Sequence, residues 1–297
     1  MDPGINPTHL AQLLTLAREE DIGSLGDITS RLLPEASLET TGTWELVARA
    51  PGRFAGEVIL SDLLAALAPE ITLDWRLPSP DGKPLSPGTP IARFTGNTHQ
   101  MLVAERTLLN FLQHLSGIAT LTARFVAAVA GTHAKIFDTR KTTPGLRTLE
   151  KYAVRCGGGH NHRMGLYDAV LIKDNHLAGI PAARLARAVF DMLNRIPSLP
   201  SRPAFVEVEC DDLAQFEQLL KVVGIDVILL DNFNTTDLRA AVELREQQGL
   251  RGKIELEASG GITLDSVRAI AETGVDRIAV GAITHSAPIL DLGLDAV

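Results

Sequence analysis

Hydrophobic positions follow one pattern up to about residue 130 and a different one beyond it. In the first part, apolar residues recur at helical spacing over 8–20 (THLAQLLTLAREE), which predicts a helix that Thr8 can cap. The stretch DIGSLGDITSRLLP, with its two Gly and two Asp, reads as a loop running into a short helix or strand. Alternation over 40–50 and 53–60 predicts two strands joined by a Pro51-Gly52 turn. A helix over SDLLAALA follows, then strands over ITLDWRL and IARFTG. Between those strands lies a run of turn chemistry with corners at Asp81-Gly82 and Pro87-Gly88. Strands that pair with near neighbours, plus a few helices, predict an α+β domain over 1–110. Residues 98–130 lack proline and contain only Gly117 before Gly131, so they predict one or two long helices leading out of that domain to about residue 130.

From residue 134 short apolar runs alternate with helical stretches: AKIFDTR, AVLIKD, AFVEVEC, DVILLD, KIELEASGG and RIAVGA, each followed by a helix or, at the end, a short tail. Six βα units in series require parallel strands. A doubly wound open sheet and a closed barrel both satisfy that pattern. The barrel is preferred because all six runs end in polar or Gly-rich sequence, and a barrel gathers those ends around one mouth. The expected fold class is therefore α/β, with an incomplete parallel barrel of six or seven strands over 131–280. Its open side would be covered by a second subunit, and the tail 281–297 is expected to pack back on the first domain.

Composition narrows the class. Hydrophobic content of 45% with 4% aromatics describes a globular chain packed by Ala, Leu and Val. No apolar run approaches the roughly 20 residues of a membrane span. The start of the chain shows no basic region followed by an apolar core, so no signal peptide is expected. Cys156 and Cys210 form neither a disulfide framework nor a zinc spacing, and the expected compartment is the reducing cytoplasm.

Charge then locates the chemistry. The chain carries a net −8, yet between Lys135 and Lys173 eight Lys or Arg face three acids. A basic site in an acidic protein suits a small anionic ligand and excludes nucleic acid, which the rest of the surface would repel. Ser259-Gly260-Gly261 and Gly281-Ala282 supply short loops at helix starts, where backbone N–H groups can approach a phosphate. An inward carboxylate in a parallel strand is costly unless paired or metal-bound. Glu209 and Asp231 lie nearest the carboxyl ends of their strands and are the candidates for function, with Glu207 a candidate salt-bridge partner. Oxygen ligands suit Mg²⁺ shared with substrate phosphate and water. His160, His162 and His176 lack the spacing of a zinc site.

These residues amount to a resemblance. DTRKTTPGLRTLEKYAVRCGGGHNHRMGLYDAVLIKDNH, ILLDNF, EASGGI and AVGAITHS, with DIGSLGDITS, PDGKPLSPG and AERTLLNFLQHLSGIAT in the first half, resemble the quinolinate phosphoribosyltransferase family over essentially the whole chain. The resemblance implies an N-terminal α+β sandwich domain, a C-terminal incomplete α/β barrel, and Mg²⁺. It also implies a homodimer or dimer-based hexamer with a shared active site. The implied reaction transfers a phosphoribosyl group from phosphoribosyl diphosphate to quinolinate with decarboxylation, giving nicotinate mononucleotide, pyrophosphate and CO₂ for NAD biosynthesis. Arg106, Arg140, His162 and Arg163 match the residues that bind the quinolinate carboxylates, with Arg106 reaching in from a neighbouring subunit. Lys141, Lys173, Glu209 and Asp231 match the catalytic set. Glu209 and Asp231 face the ribose and Mg²⁺, directly or through water, and Ser259, Gly260, Gly261 and Gly281 match the 5′-phosphate loops. Three other readings share part of the pattern: a molybdenum-transport-associated relative of the same fold, a nicotinate phosphoribosyltransferase, and a non-catalytic sensor of a phosphorylated metabolite.

Overall fold

The computed structural model describes residues 4–297. The expectation of no leader segment rests in part on the first three residues, which lie outside them. In chain order the structure begins with α1 (Pro7–Ile22), α2 (Glu35–Leu38), β1 (Thr41–Ala48), β2 (Gly52–Arg53), α3 (Glu57–Leu67), β3 (Thr72–Trp75), β4 (Pro84–Leu85), β5 (Pro90–Asn97) and α4 (Thr98–Ala128). There follow β6 (Lys135–Phe137), α5 (Arg147–Cys156), β7 (Val170–Ile172), α6 (Asp174–Leu177), α7 (Ala182–Leu193), β8 (Val206–Cys210) and α8 (Leu213–Leu219). The chain ends with β9 (Val227–Asp231), α9 (Thr235–Gln247), β10 (Glu255–Ser259), α10 (Leu264–Ala271), β11 (Arg277–Ala279), α11 (Ala282–His285) and β12 (Leu292–Ala296). Among the described residues no helix is long and apolar enough to cross a membrane.

Two compact units result. The first joins Met1–Ala123, Thr143–Gly158 and Ala287–Val297; the second joins Arg124–Thr142 and Gly159–Ser286.

The first unit is built on an antiparallel sheet in the order β12-β1-β5-β3, with β2 and β4 as a separate pair. Its outermost strand comes from the chain's end, because β12 runs antiparallel to β1 from Trp44↔Ala296 to Ala48↔Leu292. The helix α1 is capped by Asn6, whose side chain accepts from Thr8 N at 2.9 Å and His9 N at 3.3 Å, so the cap lies two residues before the Thr8 expected from sequence.

The expected strand over 53–60 is a larger correction. Only Gly52–Arg53 is extended, and Glu57 already opens α3. The cause is distant in sequence: Asp81 Oδ1 accepts the N–H groups of Gly56 (2.9 Å) and Glu57 (3.1 Å), capping the helix from another loop. Ile59, Leu60, Leu63, Leu64 and Leu67 then form one buried helical stripe. Tyr152 of α5 donates to Asp81 and accepts from Gly56 N, which anchors α5 in this unit. Neighbouring Cys156 is part-buried, and desolvation pushes its thiol up to about 12, in keeping with a packing role.

One continuous helix, α4, covers the 31 residues read as one or two. Gly117 at its middle lets the chain pass closely, since a Cβ there would meet the backbone of Pro288 and Ile289.

The second unit is a six-stranded parallel sheet in the order β6-β11-β10-β9-β8-β7. It is the incomplete α/β barrel: β6 and β7 are its two edges. The only further pairing at β6 among the described residues is a single parallel bridge from Phe137 to His160. The register places Glu209 opposite Leu229, Glu257 opposite Leu229 and Arg277, and Ser259 opposite Asp231. Side chains two apart on a strand share a face, so Glu207 and Glu209, Leu229 and Asp231, and Glu257 and Ser259 project together.

Candidate active site

The carboxyl ends of the second unit's strands surround a cavity of about 650 Å³. Arg140 and Lys141 follow β6, Lys173 follows β7, Glu209 and Asp231 close β8 and β9, and Ser259, Gly260 and Gly261 follow β10. Gly281 follows β11, and His162 and Arg163 come from the segment leading to β7. Every site residue singled out from the sequence lines this one cavity except Arg106. That arginine sits exposed on α4 in the first unit.

Several local devices fix the rim. Lys173 Nζ donates to Glu209 Oε2 at 2.8 Å. At the ends of β9 and β10, Asn232 has φ +55°, donates its N–H to Ser259 O at 2.9 Å, and its side chain donates to Asp231 Oδ2 at 2.7 Å. Gly260 adopts φ +101°, and a Cβ there would land on the Asn232 side chain, so only glycine fits this close approach. Across the mouth, Thr284 Oγ1 donates to Lys141 O at 2.7 Å, tying α11 to the Arg140–Lys141 loop. A Cβ on Gly281 would sit 3.1 Å from the Lys141 stem and 3.3 Å from the His285 ring.

The floor is polar and buried. Asp138, fully buried, accepts from His162 N at 2.8 Å and from Asn161 Nδ2 at 2.6 Å. Arg163 is 6% exposed, and Nη1 donates to Ala169 O at 3.3 Å. Burial, then the Arg140 charge, pull its guanidinium below its ordinary range, while Glu207 and Asp168 oppose them. Glu207 and Glu257 are 0% exposed, and burial pushes each carboxyl up to about 8. Arg277 works in the other direction on both.

The rim carboxylates suit a hard cation. Glu209, Asp211 and Asp231 each bring an oxygen within 4.8 Å of the others. Asp211 completes this group and was not singled out from the sequence. Nor were Glu257 and His285, although both carry a legible signal. Glu257 stands two residues before Ser259 on one strand face, and His285 lies one helical turn past Gly281. The arrangement gathers guanidinium and ammonium groups beside a glycine-lined turn and an oxygen-rich cation site. It can therefore hold a dianionic or trianionic substrate next to a phosphate and stabilise charge that shifts between them.

Known proteins resemble this chain over nearly its whole length. Two family models match: "Quinolinate phosphoribosyl transferase, N-terminal domain" over residues 27–116 and "Quinolinate phosphoribosyl transferase, C-terminal domain" over 118–295. The chain is 42% identical over 287 residues to a nicotinate-nucleotide pyrophosphorylase [carboxylating] of Mycobacterium leprae, covering 94% of each chain. It is 41% identical to a probable nicotinate-nucleotide pyrophosphorylase [carboxylating] of Bacillus subtilis, covering 98% of this chain and 94% of the other. Among solved structures, the nicotinate-nucleotide pyrophosphorylase from Francisella tularensis superposes with a TM-score of 0.86 at 37% identity, covering 100% of this chain and 99% of that one. Human nicotinic acid phosphoribosyltransferase, at 14% identity and a TM-score of 0.53, shares the fold.

Proposed function

Because the chain belongs to the quinolinate phosphoribosyltransferase family, we propose a division of labour among its own residues for that family's reaction. The enzyme transfers phosphoribose from phosphoribosyl diphosphate to quinolinate with loss of CO₂, forming nicotinate mononucleotide in NAD biosynthesis. The observation that carries the assignment of roles is the single cavity joining Arg140, Arg163 and Lys173 to the Ser259–Gly261 turn.

Arg140 and Arg163 recognise the quinolinate carboxylates, since guanidinium forks match planar carboxylates in two-point contact. Ser259, Gly260, Gly261 and Gly281 cradle the 5′-phosphate with backbone N–H groups. Glu209 and Asp231, with Asp211 beside them, would hold Mg²⁺, which when bound offsets charge on the departing diphosphate. Lys141 supplies further positive charge on the diphosphate side. Lys173, paired with Glu209, helps keep that carboxylate facing the ribose, where positive charge develops at C1 as the C1–O bond breaks. The pyridine nitrogen donates its electron pair to C1, and diphosphate leaves. The resulting pyridinium draws in the electrons of the C2–carboxylate bond, CO₂ departs, and a proton completes the ring. No protein nucleophile is required.

Arg106, exposed on α4, completes the carboxylate site of a second subunit in a homodimer or dimer-based hexamer. Its exposure and its guanidinium support this reading. On this reading the protein acts in the cytoplasm. The molybdenum-associated and sensor readings have no specific observation in their favour. Incubation with quinolinate, phosphoribosyl diphosphate and Mg²⁺ tests the function: CO₂ and nicotinate mononucleotide should form together. Binding without turnover would instead support a sensor.

A further inference from the structure

We propose that Arg277 is a positioning residue for quinolinate, holding the His162 ring at the cavity wall through the ring of Phe205. This rests on the family reading above, in which His162 meets the substrate's carboxylates.

Arg277 opens β11, whereas the cavity lies at the carboxyl ends of the strands. It stands in register with Glu257 on one neighbouring strand and Lys135 on the other. Register partners in a parallel sheet point to one face, so the Arg277 side chain shares its face with the fully buried Glu257 and is itself only 17% exposed. A guanidinium is thereby carried into the barrel, out of reach of the substrate's own charges.

Two aromatic rings flank it there. Its Cζ lies 4.8 Å from the centroid of the buried Phe137 ring and 5.7 Å from that of Phe205. Phe205 in turn meets the His162 ring edge-on, with centroids 5.3 Å apart at 89°. Only one side chain therefore separates Arg277 from a residue that lines the cavity. On the opposite flank Phe137 stacks on the exposed His160 ring at 5.2 Å, which leads to solvent and not to the site.

The geometry asks for a plane as well as a charge. Nε and Nη2 of Arg277 both pair with Glu255 Oε2, which sets the tilt of the guanidinium, and a flat cation of fixed tilt can hold two rings at once. An ammonium would keep the charge and lose the plane. At His162 the polar contacts, Nε2 to Glu207 Oε2 at 2.8 Å and Nδ1 from Arg163 N at 2.8 Å, act within the plane of the imidazole. The perpendicular Phe205 ring adds an apolar wall to them, and removing the cation that holds this wall loosens both rings.

The test labels histidine with ¹³C, His162 being assigned by the loss of its signals in His162→Gln. Without substrate, the His162 ring-proton resonances should shift in Arg277→Met and in Arg277→Lys. In both variants KM for quinolinate should rise roughly tenfold, the scale of a lost cation–π contact. kcat and KM for phosphoribosyl diphosphate should change by less than about threefold. Phe205→Leu should do the same, and combining it with Arg277→Met should add little to either change alone, as expected of residues on one path. A wild-type KM in Arg277→Lys would show that charge alone suffices and overturn the proposal. Unmoved His162 resonances, additive losses in the double variant, or equal rises in KM for both substrates would overturn it too. Should both Arg277 variants fail to fold, Phe205→Leu decides, and an unchanged KM for quinolinate there would end the case. The spectra need no substrate, and wild-type turnover tests the family reading by itself, so the two can fail independently.

Discussion

At Gly260 the backbone is left-handed, and the Asn232 side chain occupies the space a methyl group would need. Gly260→Ala should destabilise the protein by about 1–3 kcal/mol, the usual scale for such backbone strain. It should also raise KM for phosphoribosyl diphosphate more than KM for quinolinate. Chemical denaturation and steady-state kinetics measure the two effects. Arg140→Ala reverses the asymmetry, weakening quinolinate far more than phosphoribosyl diphosphate in equilibrium titrations; equal losses would count against its assignment to the carboxylates. At this scale most of the rim was legible in the sequence, because charged and Gly-rich strand ends stand out against apolar runs. The floor was less so. Glu257's spacing from Ser259 puts it on the site's face, but Glu255 shares that face, and local sequence does not say that Glu255 is half-exposed while Glu257 is fully buried.

Elements are held to one another by a small number of buried polar ties. Arg245 on α9 is 1% exposed and pairs with Asp276, whose Oδ2 also accepts Leu256 N at 2.8 Å. Asp276→Ala would take from the buried guanidinium the nearer of its two carboxylates, leaving Glu246 at 3.3 Å, and remove a partner from β10. A loss of about 3–5 kcal/mol follows, to be read from the unfolding midpoint. The same ties explain where sequence patterns succeeded and failed. The barrel strands were legible because each is a short apolar run between helices, and parallel pairing follows from their order. The α3 boundary was not, because the capping carboxylate of Asp81 arrives from a turn 24 residues later than Glu57. The division into units at α5 was hidden for a similar reason, since Tyr152 reaches Asp81 across the sequence.

For the molecule as a whole, the buried acids set a pH dependence. Folding pushes Glu257 up from an ordinary value of 4.5 to about 8, so the folded state holds its proton where the unfolded chain has released it. Its contribution to stability is complete below about 4.5, declines as pH rises, and is gone once pH passes about 8. The unfolding midpoint of the wild type should therefore fall across that window, and Glu257→Gln, which cannot ionise, should show a shallower decline. A parallel decline in both proteins would mean other groups govern it. Mixing Arg106→Ala subunits with Lys173→Ala subunits should restore part of the activity each lacks, as a site built from two chains requires. No recovery in verified mixed oligomers would show each subunit to be self-contained.

Pairing of β12 with β1 also bears on how the protein is made. During synthesis at about 5–20 residues per second, β1 leaves the ribosome roughly 10 to 50 seconds before its partner strand exists. Throughout that interval the nascent chain carries an open sheet edge, able to pair with another chain. All the barrel strands emerge before β12, so a chain cut after residue 290 would carry every barrel strand beside a sheet with one edge unfilled.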